Sequence, residues 1–201
     1  MIQSIDDKII NSLSKCGRGI VFFPATFSHY AQPKAVNKAL ERMTDAGVII
    51  RIANGIYCYP KIEKKIGLGI LYPTFEEIAR SIAKRDKARI APAGAYAQNK
   101  LGLSSQIPMN VVYLTDGERR KVTIHDGRGI FFKHVAPRIF AFSDPLAQLL
   151  TIALKDIGNG NVTDEQKKCV KKLVNEHPRF SSVDMRLMPV WIRQLIMDLY
   201  D

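Results

Sequence analysis

The stretch LERMTDAGVIIRIANGIYCYP, residues 40–60, decides the expected fold of the amino-terminal part of this protein. Its first residues continue a helical apolar stripe that stops at Gly47. Two short apolar runs then stand on either side of Asn54-Gly55, a dipeptide that supplies the positive φ angles of a tight hairpin turn. The stretch therefore predicts the end of an amphipathic helix followed directly by a β-hairpin.

Three helices are predicted before this hairpin. Ser4 and Asp7 form a capping-box pattern in its acidic form, ahead of a first helix that ends near residue 16. A short second helix is expected after Thr26 or Ser28, and Pro33 suits the first position of a third helix. The third helix has the clearest apolar stripe, formed by Val36, Ala39, Leu40 and Met43.

Three helices followed by a β-hairpin are the order of parts in a winged helix-turn-helix. In that arrangement the third helix reads the major groove and the hairpin, or wing, contacts the backbone or minor groove beside it. Polar and basic side chains suit both roles because they reach phosphates and base edges. The predicted DNA-binding residues are Lys34, Asn37, Lys38 and Arg42 on the third helix, Arg51 and Asn54 on the wing, and Lys61 just beyond it.

Residues 1–62 are therefore expected to form a winged helix-turn-helix domain, and residues 63–73, bounded by prolines, a basic linker. Residues 74–201 are expected to form an α+β domain. Its first helix follows a second capping box, Thr74 with Glu77, and a brief strand precedes a helix that stops at Gly102.

Three alternating runs follow, MNVVYLT, ERRKVTIH and RGIFFKHV, separated by Asp116-Gly117 and Asp126-Gly127. These turns predict an antiparallel meander within a sheet of three to four strands that packs on helices. A third capping box at Thr163 and Gln166 and a buried last helix over residues 189–200 complete the domain. The overall fold class is α/β, of the α+β kind. A second basic surface could include Lys64, Lys65, Arg119, Arg120, Lys121 and Arg128.

Charge and composition favour a DNA-binding protein of the cytoplasm. Thirty Lys and Arg against nineteen Asp and Glu give a net charge of +11, concentrated in residues 1–150. Such a surplus attracts polyanions such as nucleic acid or acidic lipid. No apolar run reaches membrane-spanning length and the amino terminus does not resemble a signal peptide. Cys16, Cys58 and Cys169 have no disulfide or zinc spacing, so we expect reduced, mostly buried thiols and no cofactor.

Two alternatives stay open beside DNA binding. Winged helices also serve as scaffolds for protein docking. The best enzymatic alternative is a metal-dependent nuclease, since acidic ligands and a lysine on adjacent strands could hold Mg²⁺ for phosphodiester cleavage. Its residues would be Asp116, Glu118, Lys121 and Asp126, although both aspartates are also explained as turn formers. Because no nucleotide-binding loop, GxSxG or HExxH motif occurs, we expect no enzyme.

Two segments, residues 37–60 and 73–138, resemble the AbiEi-like antitoxin and regulator family of bacterial type IV, or abortive-infection, toxin–antitoxin systems. The clearest marks are GVIIRIANGIYCYP at 47–60 and PAGAYAQNKLGLSSQIP at 92–108, and the likeness covers about residues 1–158. The resemblance implies an amino-terminal winged helix that binds inverted repeats in its own promoter and represses the operon. It also implies a carboxy-terminal domain that counters a nucleotidyltransferase-like toxin. Residues after 158 match the family poorly.

Overall fold

The computed structural model describes residues 4–64, 67–124 and 127–200. Its α-helices are α1 (Ile5–Cys16), α2 (Pro33–Asp45), α3 (Phe75–Asp86), α4 (Gly94–Lys100), α5 (Pro145–Ile157), α6 (Asp164–Asn175), α7 (Ser182–Leu187) and α8 (Val190–Leu199). Its strands are β1 (Ile20–Phe22), β2 (Ile50–Ala53), β3 (Ile56–Tyr59), β4 (Lys61–Glu63), β5 (Gly69–Leu71), β6 (Ile90–Ala93), β7 (Val111–Thr115), β8 (Arg120–Thr123) and β9 (Gly129–His134). Single 3-10 turns span Pro24–Phe27 and Pro137–Phe140. The α/β fold class and the carboxy-terminal helix are confirmed.

The chain forms two compact units: residues 1–82 with 123–127, and residues 83–122 with 128–201. The boundary at residue 82 therefore falls inside α3, downstream of the predicted linker at 63–73. That segment holds the end of β4 and all of β5, which pair antiparallel with Ile62 opposite Ile70. The two glycines of this segment predict a connector. Apolar residues flank them, however, and a hairpin forms there.

The first unit follows the predicted order of elements closely. Strands β1, β3 and β2 form an antiparallel sheet in that order, so the chain's return strand β3 lies between the other two. One side of α2 packs into the same core as α1, where Ile9, Leu13 and Leu40 are almost fully buried. The second helix expected after Thr26 or Ser28 does not form; the 3-10 turn Pro24–Phe27 lies there instead, and Phe27 anchors it in this core.

The second unit contains a four-stranded sheet in the order β6-β7-β9-β8. Strand β6 is antiparallel to β7, but β7 and β9 are parallel, with Leu114 opposite Lys133. The predicted meander is therefore wrong in its first pairing, because β7 has β9 and not β8 as its neighbour, whereas β8 and β9 are neighbours as predicted. Helices α4, α5, α6 and α8 supply most of the core beside this sheet, and Leu150, Leu154, Ile192 and Ile196 are fully buried.

The connection after β7 explains why the meander does not form. A type I′ turn would need positive φ at both Asp116 and Gly117, and neither residue has one. The Asp116 carboxylate instead accepts hydrogen bonds from the backbone N–H and Nε of Arg89, each at 2.7 Å. The ring Nδ1 of His134 at the end of β9 lies 2.7 Å from the Gly117 carbonyl oxygen. These contacts hold the connection beside β9. Asp126 of the other expected turn lies outside the described residues.

The cysteines differ in exposure. Cys58 is buried, Cys169 is half-buried and Cys16 is exposed, and all three are free thiols. Burial, the largest influence, raises the pKa of the Cys58 thiol to about 11, so that sulfur stays protonated at neutral pH.

Candidate nucleic-acid interface

Helix α2 presents one polar face and buries the other. Pro33 occupies its first turn, and Val36, Ala39, Leu40 and Met43 form the buried stripe that the sequence predicts. Anchoring this stripe in the core leaves the opposite side chains in solvent. The exposed residues of that side are Lys34, Asn37, Lys38, Glu41, Arg42 and Asp45.

Charge is divided along this exposed face. Residues three and four apart are neighbours on a helix, so Lys34, Asn37 and Lys38 form a patch on the amino-terminal half. Glu41 and Asp45 continue the same face at the carboxyl end. Because the helix dipole is also positive at its amino end, an anion is favoured on the first two turns and disfavoured on the last.

The patch residues are not engaged elsewhere. Within residues 4–64, 67–124 and 127–200, the side chains of Lys34, Asn37 and Lys38 have no hydrogen-bond or ion-pair partner. We refer to these three residues as the α2 patch. Its two ammonium groups and one amide are therefore available for a ligand.

Arg42, the fourth predicted contact of this helix, is held by α1. Its Nη2 and Nε donate to the two carboxylate oxygens of Asp6 at 2.6 and 3.1 Å. The hydrogen bond with Asp6 raises the pKa of Arg42 above its ordinary value. This two-pronged pair joins α2 to α1, so the guanidinium group of Arg42 is engaged within the first unit.

The hairpin β2–β3 has Asn54 and Gly55 at its tip. Of these two residues, Gly55 alone takes a positive φ, +68°, whereas the sequence predicts a positive φ for Asn54 as well. A register shift between Arg51 and Ala53 absorbs the difference, as a β-bulge does. The Arg51 Nη2 donates to the Asn54 side-chain oxygen at 2.9 Å, and both residues are exposed. The two predicted wing contacts are therefore brought together and preorganised.

Lys61 begins β4 and is exposed. Its side chain lies across Gly19, where an added Cβ would approach the Lys61 Cε to 2.5 Å. Gly19 therefore keeps the stem of this lysine close to the start of β1. Lys64 is also exposed, and Lys65 lies outside the described residues.

The predicted second basic surface is only partly available. Arg120 Nη1 is 2.7 Å from an Asp86 carboxylate oxygen, and the Lys121 ammonium lies 5.2 Å from the centre of the Phe131 ring. Arg119 and Arg128 are exposed. Arg120 and Lys121 of β8 thus make different contacts and do not form one stripe.

The two described acids of the nuclease alternative, Asp116 and Glu118, lie in different surroundings. Burial acts to raise the pKa of Asp116, but the hydrogen bonds and charge of Arg89 outweigh it and the pKa is lowered. Glu118 is 90% exposed, and Asp126 lies outside the described residues. No group of three His, Cys, Asp or Glu side chains that could hold a metal ion occurs among the residues that the structure describes.

One neighbour of the α2 patch was missed by the sequence argument. Gln32 is exposed at the amino-terminal cap of α2 and makes no side-chain capping bond, so its amide extends the patch. The sequence does indicate this position, because a residue directly before the proline that starts a helix lies at the amino-terminal cap of that helix. The prediction assigns Pro33 to the start of the helix but gives Gln32 no role.

Comparison with known proteins gives a family but no activity. Within the described ranges, no helix has the length and apolar character needed to cross a membrane. No curated protein matches the chain significantly. The model of a family of unknown function, DUF6088, matches residues 8–180. Since the match covers most of the 201 residues, the chain belongs to the DUF6088 family.

Proposed function

We propose that residues 1–62 form a winged helix-turn-helix and that the protein is a DNA-binding transcriptional regulator. The observation that carries this proposal is the α2 patch: two unpaired lysines and an asparagine on the amino-terminal half of a helix whose other side is locked in the core. Recognition helices use the same half to contact base edges. Lysine suits phosphate and asparagine suits the paired acceptor and donor of adenine.

The wing supports the same proposal. Its tip joins β2 and β3 of the antiparallel sheet β1-β3-β2, and Arg51 is already oriented by Asn54. A side chain held in place loses less entropy on binding. Arg51 would contact the phosphate backbone or enter the minor groove beside α2.

Binding, not catalysis, is the proposed mode of action, with lysines and arginines anchoring phosphates and α2 in the major groove. Asp116, a described acid of the nuclease alternative, is paired with Arg89, and the other, Glu118, is 90% exposed with its carboxylate 3.9 Å from a guanidinium nitrogen of Arg120. If the protein were a nuclease, Mg²⁺-dependent cutting abolished by Glu118→Ala would show it.

We extend the proposal to an antitoxin of a type IV system that represses its own operon in the cytoplasm and counters a nucleotidyltransferase-like toxin. This step rests on the resemblance of residues 37–60 and 73–138 to the AbiEi-like family. Co-expression with the nucleotidyltransferase-like product of an adjacent gene tests it. Restored growth is expected, and unchanged toxicity at equal toxin levels would contradict the antitoxin role.

The experiment for DNA binding is a fluorescence-anisotropy titration of the purified chain against its own upstream DNA and a scrambled duplex. At about 150 mM salt, non-specific binding is weak, roughly 10⁻⁴–10⁻⁶ M, so a specific site stands out. We expect tight binding to the upstream duplex alone. Equal, weak binding to both would reduce the net charge of +11 to a general electrostatic effect.

One observation favours a second candidate function, protein docking with the winged helix as scaffold. The β4–β5 hairpin and the residue after it expose large apolar side chains, from 37% for Leu71 to 70% for Tyr72. Clustered exposed apolar residues mark interaction surfaces. If docking is the main function, Tyr72→Ser would abolish the protein's activity in cells. The wild-type protein would then show no DNA binding that depends on the α2 patch.

A further inference from the structure

A cleft of about 770 Å³ opens in the second unit. Val112 and Leu114 of β7 and Ile152 of α5 form part of its apolar lining, together with Ile139 and Phe142 between them along the chain. Its volume lies within the roughly 300–1,000 Å³ of small-molecule sites, which are also mostly apolar with a few polar groups.

Three cations stand in the lining: Lys133 of β9, Arg138 of the second 3-10 turn, and Lys155 of α5. The parallel register of β7 and β9 places Lys133 directly beside Leu114. All three are exposed, and none has a hydrogen-bond or ion-pair partner for its side chain among the described residues. Asp156, the one acid among the described lining residues, accepts a hydrogen bond from the neutral amide of Gln98 at 2.8 Å and keeps its charge, so three cations and one carboxylate leave the lining with a net charge of +2.

We propose that this cleft binds an organic anion with an apolar body, such as a medium-chain carboxylate or an alkyl phosphate. The apolar lining would take the body, and the three cations would hold the charged end. This inference is independent of the proposed function, because the cleft and the α2 patch share no residue.

Charge complementarity selects this occupant. A fully apolar ligand would leave the three cations unused, and an inorganic anion would leave the apolar lining in water. Replacing water on the lining stabilises a complex in proportion to the apolar area covered. A ligand that carries both an apolar body and a negative charge therefore satisfies the whole cleft.

The first probe is 1-anilinonaphthalene-8-sulfonate, an aromatic sulfonate whose fluorescence rises in apolar surroundings. Titrated into the full chain, it should bind saturably with a stoichiometry of one. Decanoate and decyl phosphate should then displace it, and their relative strength distinguishes a carboxylate from a phosphate ligand. Decanol, which has the same chain without the charge, should displace it at least about tenfold less well.

Two variants locate the site. The triple variant Lys133→Met, Arg138→Met, Lys155→Met keeps the apolar stems and removes the charges, and should weaken sulfonate binding about tenfold. A charge-matched control, Lys87→Met, Arg119→Met, Lys168→Met, removes three exposed cations that do not line the cleft. Ala136→Trp should block the cleft without unfolding the chain, because Ala136 is exposed in its lining.

Weakened binding in the triple variant and in Ala136→Trp, with the control unchanged, supports the proposal. Equal weakening in the control would reduce the effect to net charge and overturn it. Binding that is unsaturable, or that neither cleft variant alters, would also overturn it. Circular dichroism of each variant shows whether the fold is retained, and Ala136→Trp decides the question if the triple variant is unfolded.

Discussion

At the scale of single residues, Arg42 shows that a polar side chain on the exposed face of a helix is not always free to bind a ligand. The sequence places it with the α2 patch, but a carboxylate 36 positions away in the chain engages its guanidinium group. No local pattern in the sequence could indicate this pair, because it depends on how α1 packs against α2.

This contact predicts a specific order of effects. Arg42→Ala should lower the melting temperature slightly, since the pair is largely exposed, at 59% and 33% of the two side chains. It should weaken DNA binding less than Lys38→Ala does, because Lys38 has no hydrogen-bond or ion-pair partner among the described residues and its ammonium group can bind DNA directly. Melting curves and anisotropy titrations of both variants test this. A larger loss of affinity for Arg42→Ala would mean that its guanidinium leaves Asp6 to contact DNA.

Asp184 is a residue whose role the sequence does not reveal. It is 1% exposed, and its carboxylate accepts hydrogen bonds from the backbone and hydroxyl of Ser143 at 2.8 and 2.7 Å and from the Ser181 hydroxyl at 3.0 Å. Burial acts to raise its pKa, but the hydrogen bonds from Ser143 and Ser181 outweigh it and the pKa is lowered. The carboxylate therefore ties the start of α7 to the segment that precedes α5.

The sign of the pH dependence follows from the lowered pKa. The stability that the Asp184 carboxylate contributes is fully present above its unfolded pKa of about 3.9 and is lost as pH falls through the lower folded value. Asp184→Asn should therefore cost about 1–3 kcal/mol at neutral pH, and the difference from the wild type should narrow at about pH 2.5. Urea unfolding at both pH values measures it, with the exposed Asp198→Asn as control. A constant difference would show that the charge is not the stabilising feature.

At the scale of helices and strands, the helix-capping signals in the sequence were reliable. The predicted capping boxes at Ser4, Thr74 and Thr163 form reciprocal hydrogen bonds with residues three positions later. Such pairs are encoded within four residues and need no tertiary contact. Helix α7 was missed because its six residues are too few for a helical period to be visible.

The order of strands in the second sheet could not be predicted in the same way. The dipeptide at 116–117 is a hairpin signal, yet β7 takes β6 and β9 as neighbours. The choice depends on Arg89 and His134, which approach the connection from distant positions in the chain. Long-range contacts, and not the local turn preference, therefore determine the strand order of this sheet.

A cross-linking experiment tests this order. Leu114 and Lys133 are paired across parallel strands, so cysteines there should form a disulfide on oxidation. A meander would instead pair positions 112 and 121, which this sheet separates by two strand spacings, roughly 10 Å. The variant Leu114→Cys, Lys133→Cys should cross-link and the variant Val112→Cys, Lys121→Cys should not, in a background with the three native cysteines replaced by serine. Cross-linking between positions 112 and 121, without cross-linking between 114 and 133, would show that the strands form the meander.

At the scale of the whole molecule, the basic side chains that give the net charge of +11 serve more than one role. Some of the thirty Lys and Arg side chains are paired with acids, as Arg42, Arg89 and Arg120 are with aspartates. Among the described residues, the lysines of the α2 patch and the three cations of the cleft have no such partner. Composition alone could indicate an affinity for anions, but only the folded arrangement distinguishes a surface suited to DNA from a cleft suited to a small organic anion.

The most direct test of the central claim is the salt dependence of binding to the upstream DNA, compared between the wild type and the double variant Lys34→Ala, Lys38→Ala. Each lost phosphate contact should lower the slope of log K against log salt by about one, so the account predicts a decrease of about two and an affinity weakened about tenfold or more. The control, Lys15→Ala, Lys168→Ala, removes the same charge from exposed positions outside α2 and should leave both quantities near the wild-type values. Equal slopes and affinities in the wild type and the α2 variant would contradict the assignment of α2 as the DNA-binding helix.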